Sequence, residues 1–177
     1  MKSKLTRRAF VRTAAAGSAA LAWLGAGRTP KGFAAEADKP ALLGLSTPEL
    51  LETARTALDQ LGYKIHRADN HGEFLHKFVQ VPYQVVILEE LFDAHSPEEN
   101  ESLRALERMP MSQRRHAVVI LFGFSFATFN PLQAFQHGVH AVVNPAEMFL
   151  LIQLIQKVVA DNDMFLHAFR ETQKQQG

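Results

Sequence analysis

Two adjacent carboxylates, Glu89 and Glu90, end the apolar run YQVVILEEL at residues 83–91. Paired carboxylates can transfer protons as general acid and general base. That chemistry needs a substrate pocket beside the pair, and the sequence shows no sign of one. Together with Ser46 and Asn144, the pair could instead serve a small enzyme or ligand carrier at the carboxyl edge of a sheet. The structural alternative is that one carboxylate caps a helix or pairs with an arginine.

The chain has eight histidines and no cysteine, which excludes disulfides, iron–sulfur clusters and thiolate zinc sites. His71 and His76 are five residues apart, and His137 and His140 are three apart. Neither pair has the i, i+4 spacing of a helical zinc site. The segment GLSTPE, residues 44–49, has too few small residues and free amides for a phosphate-binding loop. We therefore predict no metal, no cofactor and no catalytic residue, and expect that the protein is not an enzyme.

The amino terminus has the three parts of an export signal. A basic start precedes an uncharged run of small apolar residues at 14–27, and the small-x-small pattern AEA at 35–37 offers a signal peptidase site. The run is only about 14 residues, whereas a helix that spans a bilayer needs roughly 20. We therefore expect residues 1–37 to be a cleaved signal peptide and predict no stable membrane span.

Within this segment, TRRAFVR resembles the twin-arginine (Tat) signal motif. The motif positions are filled by Thr6, Arg7, Arg8, Phe10, Val11 and Arg12. The resemblance implies that the Tat translocase carries the protein to the periplasm or out of the cell. The alternative is a cytoplasmic protein in which residues 1–37 are a basic amphipathic helix, a tether or a misassigned start.

The rest of the chain, residues 38–177, is acidic. The first 37 residues hold seven of the 19 Lys and Arg and one of the 18 Asp and Glu, which leaves 12 basic and 17 acidic groups. The resulting net charge of about −5 argues against a basic nucleic-acid-binding face, so we predict no nucleic-acid partner. A chain of this length is expected to form one domain with its own core.

Short apolar runs and helical spacings alternate along residues 41–177. The runs predict strands at residues 41–45, 63–69, 83–91, 116–124 and 139–144. The helical spacings predict helices at residues 47–62, 71–81, 98–109, 130–138 and 145–172, the last of them long. Five βα repeats predict an α/β fold, a (βα)5 flavodoxin-like three-layer sandwich around a parallel five-stranded sheet.

The segments STPELLETARTALDQLGY and YKIHRADNHGEFLHKFVQVPYQVVILE resemble the first half of a bacterial response-regulator receiver domain, and AVVILFG and AFQHGVHAVVNP continue its pattern. The resemblance implies a phosphorylation site at the carboxyl edge of the sheet, but every functional position of that site is changed here. Leu45 and Ser46 replace two magnesium-binding acids, Glu89 replaces the phosphoacceptor Asp, Phe122 replaces a hydroxyl residue, and Asn144 or Pro145 replaces a Lys. Without these groups, aspartyl phosphorylation is not expected. Glu89 could instead imitate a phosphorylated Asp.

Two segments are candidate contact surfaces. The resemblance implies that partners bind the face made by the fourth helix, fifth strand and last helix of the repeats. The run FGFSFATFN, residues 122–130, lies beside that face, and an exposed aromatic patch of Phe124, Phe126 and Phe129 there would mark a protein contact. A homodimer could form through the overhang of the last helix, which carries Met164 and Phe165. The alternative is that these side chains pack in the core.

These observations predict a non-catalytic, non-phosphorylatable receiver-like module that binds a protein partner and is exported by the Tat route. One alternative is a cytoplasmic pseudo-receiver that regulates signal transduction or transcription. Another is a small ligand-binding or enzymatic flavodoxin-like protein.

Overall fold

Five strands form one parallel sheet in the order β2-β1-β3-β4-β5. The computed structural model describes the backbone of residues 39–176 and the side chains of residues 39–167. The predicted Tat motif and cleavage site lie outside these residues. The strands are β1 (Lys39–Gly44), β2 (Tyr63–Arg67), β3 (Val85–Glu89), β4 (Val118–Phe122) and β5 (Ala141–Val143). The predicted parallel sheet is confirmed.

Six helices are described around the sheet: α1 (Pro48–Gln60), α2 (His71–Gln80), α3 (Glu101–Arg108), α4 (Met111–Arg114), α5 (Pro131–Gln136) and α6 (Leu151–Gln176). The short α4 was not predicted. A 3-10 turn at Pro145–Leu150 replaces the expected start of α6, because Glu147 leaves helical geometry with φ −109° and ψ 19°. None of the helices described over residues 39–176 is long and apolar enough to cross a bilayer.

The sheet is buried on both faces. Alternate strand residues, such as Leu43, Ile87 and Ile120, pack with α1 and α6 on one face. Their neighbours, such as Val86 and Leu121, pack with α2, α3 and α5 on the other face. Apolar residues on both sides of each central strand require helices in both outer layers. The structure thus confirms the predicted three-layer flavodoxin-like arrangement.

A buried asparagine, Asn100, fixes the end of β3. Its side-chain amide donates to the carbonyl oxygens of Glu89 at 2.9 Å and Glu90 at 3.1 Å. Its side-chain oxygen accepts a hydrogen bond from the backbone N–H of Leu103 at 2.9 Å and so caps α3. One side chain therefore sets where the strand ends, where α3 begins, and where the two glutamates lie.

Candidate functional site

Glu89 reaches from the end of β3 to the start of α1. Its side chain is only 8% exposed. The carboxylate accepts hydrogen bonds from the backbone N–H of Ser46 at 2.7 Å, the backbone N–H of Thr47 at 3.0 Å, and the Thr47 hydroxyl. Free amides and the helix dipole make a helix N-terminus a favourable place for an anion. Glu89 therefore places a carboxylate of the chain itself at the start of α1, as the helix-capping alternative predicts.

The other predicted positions of the degenerate site lie at the same edge of the sheet. Leu45 and Phe122 are buried in the apolar core. Ser46 is exposed, and its hydroxyl accepts a hydrogen bond from the backbone N–H of Asp93 at 2.9 Å. Asn144 follows β5 and binds backbone carbonyls of the neighbouring loop. Apolar side chains thus stand at two of the positions that supply oxygen atoms in a working receiver.

Glu90 points to a different loop from Glu89. The Ser125 hydroxyl donates a hydrogen bond that its two carboxylate oxygens share, at 2.8 and 3.0 Å. The backbone N–H of Glu90 bonds the carbonyl of Phe122 in β4. Glu89 accepts hydrogen bonds from the start of α1 and Glu90 from the loop after β4, so the two carboxylates face different segments and the geometry does not favour an acid/base pair.

The histidines have separate partners. The His71 Nδ1 lies 2.9 Å from the Ser102 hydroxyl, and the His137 Nδ1 lies 3.5 Å from a carboxylate oxygen of Glu107. Within the described part of the chain, no group of three or more His, Asp or Glu side chains is placed to hold a metal ion.

His140 is held as a neutral ring. Its Nδ1 accepts a hydrogen bond from the backbone N–H of Val119 at 3.0 Å. Burial lowers the pKa of His140, and the nearby positive charge of Arg114 lowers it further. An unprotonated Nδ1 is required for this bond, so the hydrogen bond and the lowered pKa agree.

A groove of about 450 Å³ lies between α4, α5, β5 and α6. Its apolar lining includes Phe129, Ala134, Ala141, Val158, Phe165 and Leu166. Lys157 and Asp161 also line it and form an ion pair at 2.9 Å. The lining is therefore mainly apolar with some polar and charged groups, a composition that occurs at protein-binding surfaces.

Large apolar side chains are exposed on the elements that flank this groove. Phe124 is 74% exposed and Phe129 42% exposed in the loop before α5, Phe135 is 82% exposed on α5, and Phe165 is 67% exposed on α6. These four side chains, with Leu132 of α5, are called the aromatic face below. Phe126 does not belong to it, because its ring is 5% exposed and packs in the core beside His137.

Sequence reasoning located Glu89 and Phe124 but missed the roles of Asn100 and Asn144. An asparagine before ESLRALER is a helix-cap signal. Nothing in that signal shows that the same amide also reaches back to β3. The groove was also missed as a cavity, since its walls come from four separate parts of the chain.

Comparison with known proteins supports the fold. No family model and no curated protein sequence matches this chain. NtrX from Brucella abortus in complex with ADP matches over 78% of this chain and 30% of its own, at 12% identity and a TM-score of 0.60. This chain therefore spans less than a third of NtrX.

Two smaller proteins match over nearly their whole length. The chemotaxis response regulator CheY4 of Vibrio cholerae matches over 67% of this chain and 97% of its own, at 16% identity and a TM-score of 0.55. A CheY-like response regulator receiver domain protein from Methanospirillum hungatei JF-1 matches over 71% and 97%, at 18% identity and a TM-score of 0.55. At these identities the likeness shows the fold, and this chain has the flavodoxin-like fold of CheY-type receiver domains.

Proposed function

We propose that this chain is a non-catalytic, receiver-like module that binds another protein through its aromatic face and does not accept a phosphoryl group. The observation that carries the proposal is the exposure of four phenylalanines on the loop before α5, on α5 and on α6, two of which, Phe129 and Phe165, line one mainly apolar groove. Large apolar side chains exposed on neighbouring elements of a protein surface are typical of a site that meets a partner. Aromatic side chains are also the residues that contribute most to binding at protein interfaces.

The carboxyl edge of the sheet supports the non-catalytic part of the proposal. Magnesium needs several oxygen ligands in an octahedral array, and phosphoryl transfer needs the charge neutralisation that the ion supplies. Glu89 already accepts hydrogen bonds from Ser46 and Thr47, and Leu45 and Phe122 have no oxygen atoms in their side chains. This edge is therefore occupied by contacts within the chain.

Photo-crosslinking tests the binding surface. The amino acid p-benzoylphenylalanine is placed at Phe135 and at Phe165, and as a matched control at Val79 of α2, which is 77% exposed. In cells that naturally make the protein, we expect a discrete adduct from the first two positions and none from Val79. An adduct of twice the chain mass would identify the partner as a second copy. No adduct from either phenylalanine position, or equal adducts from Val79, would contradict the proposal.

Export by the Tat route is a separate part of the proposal, supported by the motif at residues 6–12. We expect a mature species that begins near Asp38 outside the cytoplasm. Replacing both Arg7 and Arg8 by Lys should abolish it. Full-length chain that stays soluble in the cytoplasm would instead favour the cytoplasmic pseudo-receiver.

The remaining alternative, a ligand-binding or enzymatic protein, is tested by thermal shift with flavins, nucleotides and divalent metals. The proposal predicts no shift with any of them. A clear shift that is lost in Glu89→Gln would contradict the non-catalytic assignment.

A further inference from the structure

The loop between β4 and α5, residues 123–130, is bound by side chains from other elements. The Asn144 side-chain amide donates to the carbonyl oxygens of Phe124 at 3.3 Å and Phe126 at 2.9 Å. The backbone N–H of Asn144 donates to the Thr128 hydroxyl at 3.0 Å. Asn144, which directly follows β5, thus binds the loop at three places.

Glu90 binds the same loop from the end of β3. Its carboxylate accepts the hydrogen bond of the Ser125 hydroxyl and lies over Gly123, where a Cβ would collide with it. Gln133 of α5 adds a third attachment, since its side-chain oxygen accepts a hydrogen bond from the backbone N–H of Ala127 at 2.9 Å. The loop is therefore tied to β3, β5 and α5.

Phe129 has an unusual backbone conformation within this loop. Its φ is +62°, in the left-handed region that bulky residues rarely adopt. Its backbone N–H donates to the carbonyl oxygen of Val142 at 3.0 Å, and its side chain lines the groove. A glycine or asparagine would adopt this conformation at lower cost. The backbone conformation therefore does not favour a phenylalanine here, whereas a contact made by its ring would.

We infer that Glu90 and Asn144 are positioning residues that hold residues 123–130 in one conformation, so that Phe129 is presented at the groove before any partner arrives. This inference rests on the proposed function, because it concerns the aromatic face. A preformed surface loses less conformational freedom on binding than a mobile one.

Hydrogen exchange of the full chain, followed by mass spectrometry, tests the positioning role without a partner. In Asn144→Ala, we expect peptides over residues 123–130 to exchange about tenfold faster, while peptides over β1 and β3 keep their rates. Asn70→Ala is the matched control, because the Asn70 side-chain oxygen caps α2 as the Asn144 oxygen caps the turn at Ala146, while Asn70 makes no hydrogen bond to residues 123–130. Glu90→Ala should act like Asn144→Ala, and Glu90→Gln, which can still accept from Ser125, should act less. Exchange within about twofold of the wild type in Asn144→Ala would overturn the inference.

Two variants at position 129 test the strain. Alanine normally gives a more stable protein than glycine, but at positive φ the order reverses. We expect Phe129→Gly to melt about 2–4 °C higher than Phe129→Ala. Equal or reversed melting temperatures would overturn the claim that the loop holds a strained residue.

The crosslinking probe at Phe135 links the positioning role to binding. We expect Asn144→Ala to lower the adduct yield about fivefold or more, and Asn70→Ala to leave it unchanged. An undiminished yield in Asn144→Ala would overturn the preformed surface. If the wild type gives no adduct at all, the proposed function fails, and the exchange and melting experiments still decide the positioning role by themselves.

Discussion

Removing the carboxylate of Glu89 should destabilise the domain far more than removing the carboxylate of Glu90. In Glu89→Ala, two backbone N–H groups and the Thr47 hydroxyl lose their acceptor. Hydrogen bonds to a charged group contribute about 1.5–3 kcal/mol each, but Ser46 is exposed and water can replace part of the loss. The expected decrease in the free energy of unfolding is about 3 kcal/mol. Glu90→Ala, which loses only the hydrogen bonds from Ser125, should cost about 1 kcal/mol or less.

Two further substitutions separate charge from reach. Glu89→Gln keeps an acceptor oxygen at the same distance but loses the charge beside the helix N-terminus, so we expect a loss of about 1–2 kcal/mol. Glu89→Asp keeps the charge but is shorter by one methylene, which draws the carboxylate away from Ser46 and Thr47. We expect it to be destabilising as well, although aspartate is the residue that the receiver resemblance implies at this position.

The assay is urea unfolding followed by circular dichroism, with the free energy taken from the midpoint and slope. Formate provides a second measurement, because a small carboxylate should bind the vacated amides. It should stabilise Glu89→Ala more than the wild type, by the linkage between ligand binding and folding. If all three Glu89 variants unfold within about 0.5 kcal/mol of the wild type, the carboxylate does not hold the start of α1.

Three other predictions concern the frame of the site. Asn100→Ala should lose about 2–4 kcal/mol of unfolding free energy in urea titrations, because it removes hydrogen bonds to the carbonyls of Glu89 and Glu90 and leaves the buried N–H of Leu103 without its acceptor. Asn70→Ala, which removes an exposed cap, should lose only about 1 kcal/mol, and equal losses would contradict this reasoning. The pKa of His140 is lower in the folded protein than in the unfolded chain, so its contribution to stability is complete above about pH 6.5 and declines as the pH falls. His140→Gln should therefore flatten the fall in urea midpoint between about pH 7.5 and 5.5, and an unchanged slope would exclude this role. Gly123→Ala should lower the free energy of unfolding by about 1–3 kcal/mol, because its Cβ would lie 2.7 Å from the buried ring of Phe126. Gly72→Ala in α2, where the nearest atom is 3.4 Å away, should be neutral or stabilising. The same loss at both positions would rule out crowding as the cause.

The layered fold could be predicted because its signals are local. Runs such as VVILE and VVILF are apolar without alternation, which indicates burial on both faces and therefore a parallel sheet with two helical layers. The 3-10 turn before α6 could not be predicted in the same way. Pro145 is compatible with a helix start as well as with a turn, and no local pattern signals that Glu147 leaves helical geometry.

The site was predictable in position but not in geometry. Sequence places Glu89 at the carboxyl edge and leaves helix capping, ion pairing and phosphate mimicry open. The choice depends on the contact of Glu89 with Ser46 and Thr47, which lie 43 and 42 positions earlier in the chain. No local pattern encodes such a contact. The exposure of Phe124 and the burial of Phe126 could not be predicted either, since strand-like spacing would put both side chains on the same face of the segment. The loop bends between them, so one ring is exposed and the other is buried.

The position of β1 has a mechanical consequence. This strand comes first after residue 38, yet it lies inside the sheet, with five residues in register with β2 and four with β3. A translocase or unfoldase that pulled on the chain ahead of Lys39 would apply force to both hydrogen-bonded ladders at once, along the strand direction. It would have to separate an interior strand from both of its neighbours. We therefore expect the folded domain to resist unfolding when it is pulled from its amino end. Under such a force, the rate of unfolding decides whether the chain can be threaded, more than the equilibrium stability does.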